Sequence, residues 1–263
     1  MIYIKISLIA AVSTAAFFLS ASSPKITYKY GRIDAVNLSD KDKFDPYLID
    51  VNTSLTKDLL IATGVQGRLE SITPKNYWRL GRDSMGTWRS NTDFWLHSGS
   101  LLFCTEHAQS IKFSTRESNA TFNGRGTIIL EATKNGGFKF IPLEGKGTIT
   151  TAKGGTKEII GGRMVLVLGK PTYFGDAYDI DIMLLLKSSR LVNSYPTSLP
   201  TFKKMGLAIY IQELKLKGKY DALIGDATTN ENLELWRFGS AKKSNGKPVT
   251  NKKGIFGRIF SSD

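Results

Sequence analysis

The sequence predicts a mainly β protein, an antiparallel β-sandwich or barrel-like roll carrying C-terminal helices. Three observations lead there. Between Trp95 and Leu168, short runs of β-branched and aromatic residues are separated by glycine turns, the pattern of consecutive antiparallel strands. Glycine pairs recur at Gly136-Gly137, Gly154-Gly155 and Gly161-Gly162, where hairpin corners need positive φ angles. After Gly169-Lys170-Pro171 the apolar spacing changes to three and four residues, which is helical.

The elements follow in chain order. Ile6 to Ala21 form an apolar stretch behind Lys5 that closes in Ser20, Ala21, Ser22 and Ser23, which predicts a secretory signal peptide over residues 1–22. The alternative is an uncleaved anchor, but about 14 to 16 apolar residues fall short of the roughly 20 that span a bilayer. The expected location is therefore periplasmic or secreted. Residues 23–76 form an N-terminal extension, partly helical, because Leu59, Leu60 and Thr63 recur at helix spacing within Thr56 to Val65.

Residues 77–172 are the β-domain. Its expected strands are Leu96 to Cys104, Ser110 to Thr115, Ala120 to Phe122, Thr127 to Thr133, Phe138 to Leu143, Thr148 to Thr151, Thr156 to Ile160 and Met164 to Leu168. Gly124-Arg125-Gly126-Thr127-Ile128 is echoed by Gly145-Lys146-Gly147-Thr148-Ile149, and two such copies point to repeated strand-corner geometry rather than a solenoid. Over residues 173–238 the chain reads as helical. Asp176 is a candidate cap for a helix through Ile180, Met183, Leu184 and Leu191, and Thr201 caps a second with Phe202, Met205, Ile209 and Leu216 on one stripe. Residues 239–263 hold six lysines and arginines against one aspartate and read as a basic disordered tail.

Composition narrows the chemistry. One cysteine, Cys104, excludes an internal disulfide and is expected as a small buried side chain, and two histidines, His97 and His107, leave little for histidine-based catalysis or a zinc site. Asp176, Asp179 and Asp181 lack the glycine and terminal glutamate of a calcium loop. Glu144, placed before a corner glycine, and Glu131, on a strand with a solvent face, have no partner evident in the sequence. No enzyme activity, cofactor or metal is expected.

Charge is the functional clue that remains. Lysine and arginine number 36 against 23 acidic residues, for a formal +13, which favours anionic partners. The candidate ligand-binding residues are Arg79, Arg82, Trp88 and Arg89, where aromatics interleave with arginines, and Lys215, Lys217, Lys219, Lys242, Lys243, Lys252 and Lys253. The partners expected are an envelope protein or an anionic polymer rather than nucleic acid. The tail segment Gly254 to Phe260 offers contact with a membrane surface.

Several segments also carry a family resemblance. Trp95-Leu96-His97-Ser98-Gly99-Ser100-Leu101-Leu102, Gly126-Thr127-Ile128-Ile129-Leu130, Leu143-Glu144-Gly145-Lys146-Gly147-Thr148-Ile149 and Ile160-Gly161-Gly162-Arg163-Met164-Val165-Leu166-Val167 follow in order. Together they resemble the FecR-type extracytoplasmic domain of bacterial iron-citrate-type signal transducers, over about residues 77–172. The resemblance implies an exported domain that works through protein or polymer contacts in the cell envelope. Typical members place a sigma-regulating segment before a transmembrane helix, whereas here the apolar stretch stands at the N-terminus, so that role does not carry over.

Overall fold

The computed structural model describes residues 24–39, 45–216, 221–225 and 233–237. The segments expected as a signal peptide, residues 1–22, and as a basic tail, residues 239–263, therefore lie outside the described residues. In chain order the strands are β1 (Lys25–Tyr30), β2 (Ile33–Asn37), β3 (Tyr47–Leu48), β4 (Leu59–Thr63), β5 (Arg68–Ile72), β6 (Asn76–Leu80), β7 (Met85–Ser90), β8 (Asp93–Ser98), β9 (Ser100–Ser114), β10 (Asn119–Ala132), β11 (Phe138–Thr151), β12 (Gly155–Glu158), β13 (Arg163–Leu168) and β14 (Tyr173–Asp179). They are followed by helices α1 (Ile182–Ser188), α2 (Arg190–Asn193) and α3 (Phe202–Leu216), and by a hairpin of β15 (Asp221–Gly225) and β16 (Leu233–Arg237).

The fold is mainly β with C-terminal helices, as the sequence predicts. One path of pairing runs β14-β13-β11-β10-β9-β8-β7-β4-β2-β3, with β1-β5-β6 joined to β9 and β12 joined to β11. The ends of this path do not meet, so the structure is an open roll rather than a closed barrel. The long strands β9, β10 and β11 build both layers. The first half of β9 pairs with β6 on one edge, at Leu101 to Thr105, and its last residues pair with β8 in parallel, at Lys112 to Ser114. Likewise β11 pairs with β13 through Phe138 to Phe140 and with β12 through Thr148 to Thr151. Strands that pass from one layer to the other in this way close the corner of a sandwich.

The glycine echo marks that corner, though not as a chain reversal. Its two copies face each other within continuous strands, with Gly124 opposite Gly147, Arg125 opposite Lys146 and Gly126 opposite Gly145. A Cβ on Gly126 would lie 2.4 Å from the Glu144 carbonyl oxygen, and one on Gly147 would lie 2.2 Å from that of Asn123. Both have φ +143°, a region open essentially to glycine alone. Two expected strand pairs are thus single strands, β10 and β11, because a glycine ladder bends a sheet here without ending it.

Between the layers lies an aromatic core. Trp78, Trp88, Phe94, Phe103, Phe122, Phe138 and Phe140 are all buried, and the Trp78 ring meets Trp88 edge-on at 5.1 Å and Phe103 at 4.6 Å. Each such side chain contributes roughly 1.5–3 kcal/mol by leaving water. Alternation along the same strands sends Leu102, Cys104, Ile129, Ile141 and Leu143 to the opposite face, where Leu185, Leu191, Leu199 and Met205 of the helical segment cover them.

Several expectations are corrected by these elements. Thr56 to Val65 contains strand β4 rather than a helix, because Leu59, Ile61 and Thr63 alternate inward and pair with β2 and β7. The 23–76 extension holds β1 to β5, and the boundary at residue 77 falls within β6. Asp176 lies in strand β14, and Asp181 caps α1 by accepting from the Leu184 amide at 2.9 Å. The second helix begins after Thr201 as its capping pattern predicts, but the 173–238 segment also carries β14 and the terminal hairpin.

Candidate functional site

The site is assembled from turns that the sheet brings together. Arg68 opens β5, Tyr30 closes β1, Gly81-Arg82 forms the turn after β6, and Ser100 opens β9. Ser189 and Arg190 stand at the junction of α1 and α2, where Ser189 makes no side-chain cap hydrogen bond. These residues, with Leu191 and Tyr195, line a pocket of about 210 Å³.

Beneath the pocket lies a clamp that fixes its shape. Arg79 and Glu70, cross-strand partners on β6 and β5, form a fully buried ion pair at 2.7 Å. Arg79 Nη1 donates to the carbonyl oxygens of Leu191 at 3.0 Å and Val192 at 3.2 Å, and Nη2 donates to that of Thr197. Its guanidinium carbon sits 4.4 Å from the Tyr195 ring centre, and the Tyr195 hydroxyl donates to the Leu80 carbonyl at 2.9 Å. Burial pushes the Tyr195 phenol far above its ordinary value, so it stays a neutral donor. A buried guanidinium with this many acceptors is satisfied internally, and Arg79 is thus part of the scaffold and not a ligand residue.

The three arginines that line the pocket are in a different state. Among the described residues no carboxylate lies within ion-pairing distance of Arg68, Arg82 or Arg190. Arg68 stacks on the Tyr30 ring at 4.3 Å, and its buried Nε has no hydrogen-bond partner. The lining contains neither a carboxylate nor an imidazole. Three permanently charged arginines and two serines in one cavity lining suit the oxygen atoms of a phosphate, sulfate or carboxylate.

Comparison with protein-family models, with curated proteins and with solved structures finds no match.

Of the residues singled out by sequence, Arg82 is in the pocket. Trp88 is a core residue, 2% exposed, so it offers no stacking surface. Arg89 lies over the Trp95 ring at 4.2 Å, away from the pocket lining. Lys215 is exposed near the end of α3 and lines a separate cleft. Lys217, Lys219, Lys242, Lys243, Lys252 and Lys253 lie outside the described residues. Arg68 and Arg190 were not among the sequence candidates, because the pocket joins positions more than a hundred residues apart and neither belongs to an arginine cluster.

The other titratable candidates are structural. Cys104 is fully buried, and burial pushes its thiol up. Glu131 pairs with Lys139 across β10 and β11 at 3.3 Å, and both are buried, which corrects the expectation of a solvent-facing carboxylate. Glu144 is in mid-strand rather than at a turn. Among the described residues no group of three or more His, Cys, Asp and Glu is placed to hold a metal ion.

Proposed function

We propose that this chain is a non-enzymatic binding module of the bacterial cell envelope that holds an anionic group of a polymer or partner protein between Arg68, Arg82 and Arg190. The observation that carries the reading is that three arginines without carboxylate partners among the described residues line one cavity. Each charge-assisted hydrogen bond to a ligand oxyanion is worth about 1.5–3 kcal/mol. The formal +13 charge adds long-range attraction that accelerates encounter. Export rests on the apolar stretch from Ile6 to Ala21. The order of the Gly-Thr and Glu-Gly segments supports a FecR-type domain as the framework. The absence of carboxylates and imidazoles from the pocket lining favours holding over acid–base chemistry.

The test is co-sedimentation with anionic envelope polymer across a salt series. Full-length protein should bind and weaken steeply with salt, and Arg68→Glu with Arg82→Glu and Arg190→Glu should abolish binding at an unchanged melting temperature. A chain ending at Phe238 should bind as the full chain does. Binding that survives the triple change but is lost with the tail overturns the pocket and assigns attachment to the basic tail.

A further inference from the structure

Helix α3 carries apolar residues on two sides, and the roll covers one of them. On the inner side Met205 is buried, and Gln212, seven residues on, donates to the Ile180 carbonyl and accepts from the Ile182 amide at 3.0 Å. On the other side Leu207, Tyr210, Ile211 and Leu214, at helical spacings of three and four, stand 60%, 58%, 41% and 62% exposed. Ile160, 43% exposed, continues this stripe into a cleft of about 380 Å³ where α3 meets the glycine ladder. An exposed apolar patch rimmed by polar groups marks a contact surface.

The rim of this patch is cationic. Arg125 and Lys146, exposed and directly opposite each other across β10 and β11, line the cleft with Lys204 and Lys215, and Lys203 is exposed on α3. Lys204 is engaged by Glu106 at 2.8 Å. Among the described residues no carboxylate lies within ion-pairing distance of Arg125, Lys146, Lys203 or Lys215. Asp179 in the lining and Glu213 on α3 offset two of those four charges, which leaves the rim net positive. Glu144 is buried and bonded by the Thr127 and Thr201 hydroxyls, so it belongs to the sheet and not to the surface.

An aliphatic stripe on the outside of a helix, edged by lysines, is the arrangement of an interfacial helix, which sinks its apolar side chains below the lipid headgroups and keeps its ammonium groups at the phosphates. We infer that α3 docks this protein on an anionic lipid bilayer, with Leu207, Tyr210, Ile211 and Leu214 entering the interface and Arg125, Lys146 and Lys215 facing lipid phosphates. A second copy of the chain would bury the same stripe but bring an identical cationic rim against this one, and like charges repel. The surface shares no residue with the arginine pocket and does not depend on it.

The test is the full chain with Leu214→Cys labelled by an environment-sensitive fluorophore, since native Cys104 is buried and does not compete for the label. Vesicles of phosphatidylcholine with phosphatidylglycerol should shift the emission to the blue, vesicles of phosphatidylcholine alone should not, and salt should weaken the response. A label at Leu48→Cys, on exposed β3, should stay in water throughout, which separates docking through α3 from attachment elsewhere on the chain. Arg125→Glu with Lys146→Glu should raise the lipid concentration at half response by at least about tenfold, and Lys203→Glu with Lys215→Glu serves if the sheet variant fails to fold. Arg68→Glu and a chain ending at Phe238 should respond as the full chain does. No shift at position 214 with anionic vesicles, an equal shift with neutral ones, indifference to charge reversal, or loss of the shift with the tail would each overturn the inference. A shift without vesicles that grows with protein concentration would overturn it too and assign the stripe to a second copy.

Discussion

Arg79 Nε lies 2.7 Å from Glu70 Oε2 with both side chains at 0% exposure, and the same guanidinium reaches across to three carbonyls of the helical segment. One ion pair therefore ties two strands to the layer that forms the pocket's far wall. Removing either partner leaves the other charge buried and uncompensated, which costs about 3–5 kcal/mol. Arg79→Ala and Glu70→Ala should each show that loss in urea denaturation. Arg79→Met with Glu70→Leu should lie between wild type and the single variants, because it removes the charge penalty but still leaves the Leu191, Val192 and Thr197 carbonyls short of a donor. A double variant no more stable than the single ones would refute this account.

The glycine ladder separates two reasons for requiring glycine. At Gly126 a Cβ meets the Glu144 carbonyl at 2.4 Å and φ is +143°, whereas at Gly155 φ is +68° and nothing lies within 4 Å. Gly155→Ala therefore incurs only left-handed backbone strain, about 1–2 kcal/mol. Gly126→Ala adds a backbone collision in mid-strand and should cost roughly 3 kcal/mol or more. Equal thermal shifts for the two variants would show that the ladder yields more easily than its geometry requires.

His97 gives stability a pH dependence of defined sign. Its ring packs tilted against Trp95, with ring centres 4.8 Å apart, and Nε2 is 2.7 Å from Thr87 Oγ1. Burial first, and then the nearby Arg89 charge, hold its pKa below the ordinary 6.5. Below 6.5 the unfolded chain thus binds more protons than the folded one, so stability is full above 6.5 and is lost as pH falls through the depressed folded value. Titration of the ring protons by NMR should give a midpoint under 6.5, and His97→Asn should flatten that part of the stability profile. A midpoint at or above 6.5 contradicts the packing argument.

Which parts were legible in the sequence follows from how local their causes are. The corner at Asn135-Gly136-Gly137 joins β10 to β11, with Gly136 at φ +83°, because a hairpin turn is decided by its own few residues. The start of α3 after Thr201 was legible for the same reason, but of its expected apolar stripe Met205 is buried whereas Phe202 stands 57% exposed. Leu59, Leu60 and Thr63 read equally well as a helix turn or as alternating strand residues, and only pairing with Val36 and Trp88 on other strands decides for the strand. Gly124 and Gly147 looked like punctuation because their partnership across 23 positions is tertiary. Arg79 looked like a surface residue because Glu70, on the neighbouring strand, neutralises it. The arginine pocket was illegible because Arg68, Arg82 and Arg190 meet only after both layers and α2 have formed.

The single thiol reports on how the helical layer is attached. Cys104 is 0% exposed beneath Leu199, Met205 and the α1–α2 segment, and its Sγ lies 3.6 Å from the Thr201 hydroxyl at the start of α3. A buried thiol whose pKa is pushed up is doubly protected, since the thiolate is the reactive form and the reagent cannot reach it. Labelling by a disulfide reagent should be negligible in the native protein and reach one equivalent in denaturant. Met205→Ala removes a fully buried side chain from the covering helix alone, at a cost of about 2–5 kcal/mol. If the helical layer opens on its own, this variant should label faster at native conditions while amide exchange at Ile128 and Phe140, in the inter-layer core, stays slow. Equal acceleration of thiol labelling and of those core amides would show instead that the helices and the roll unfold as one unit.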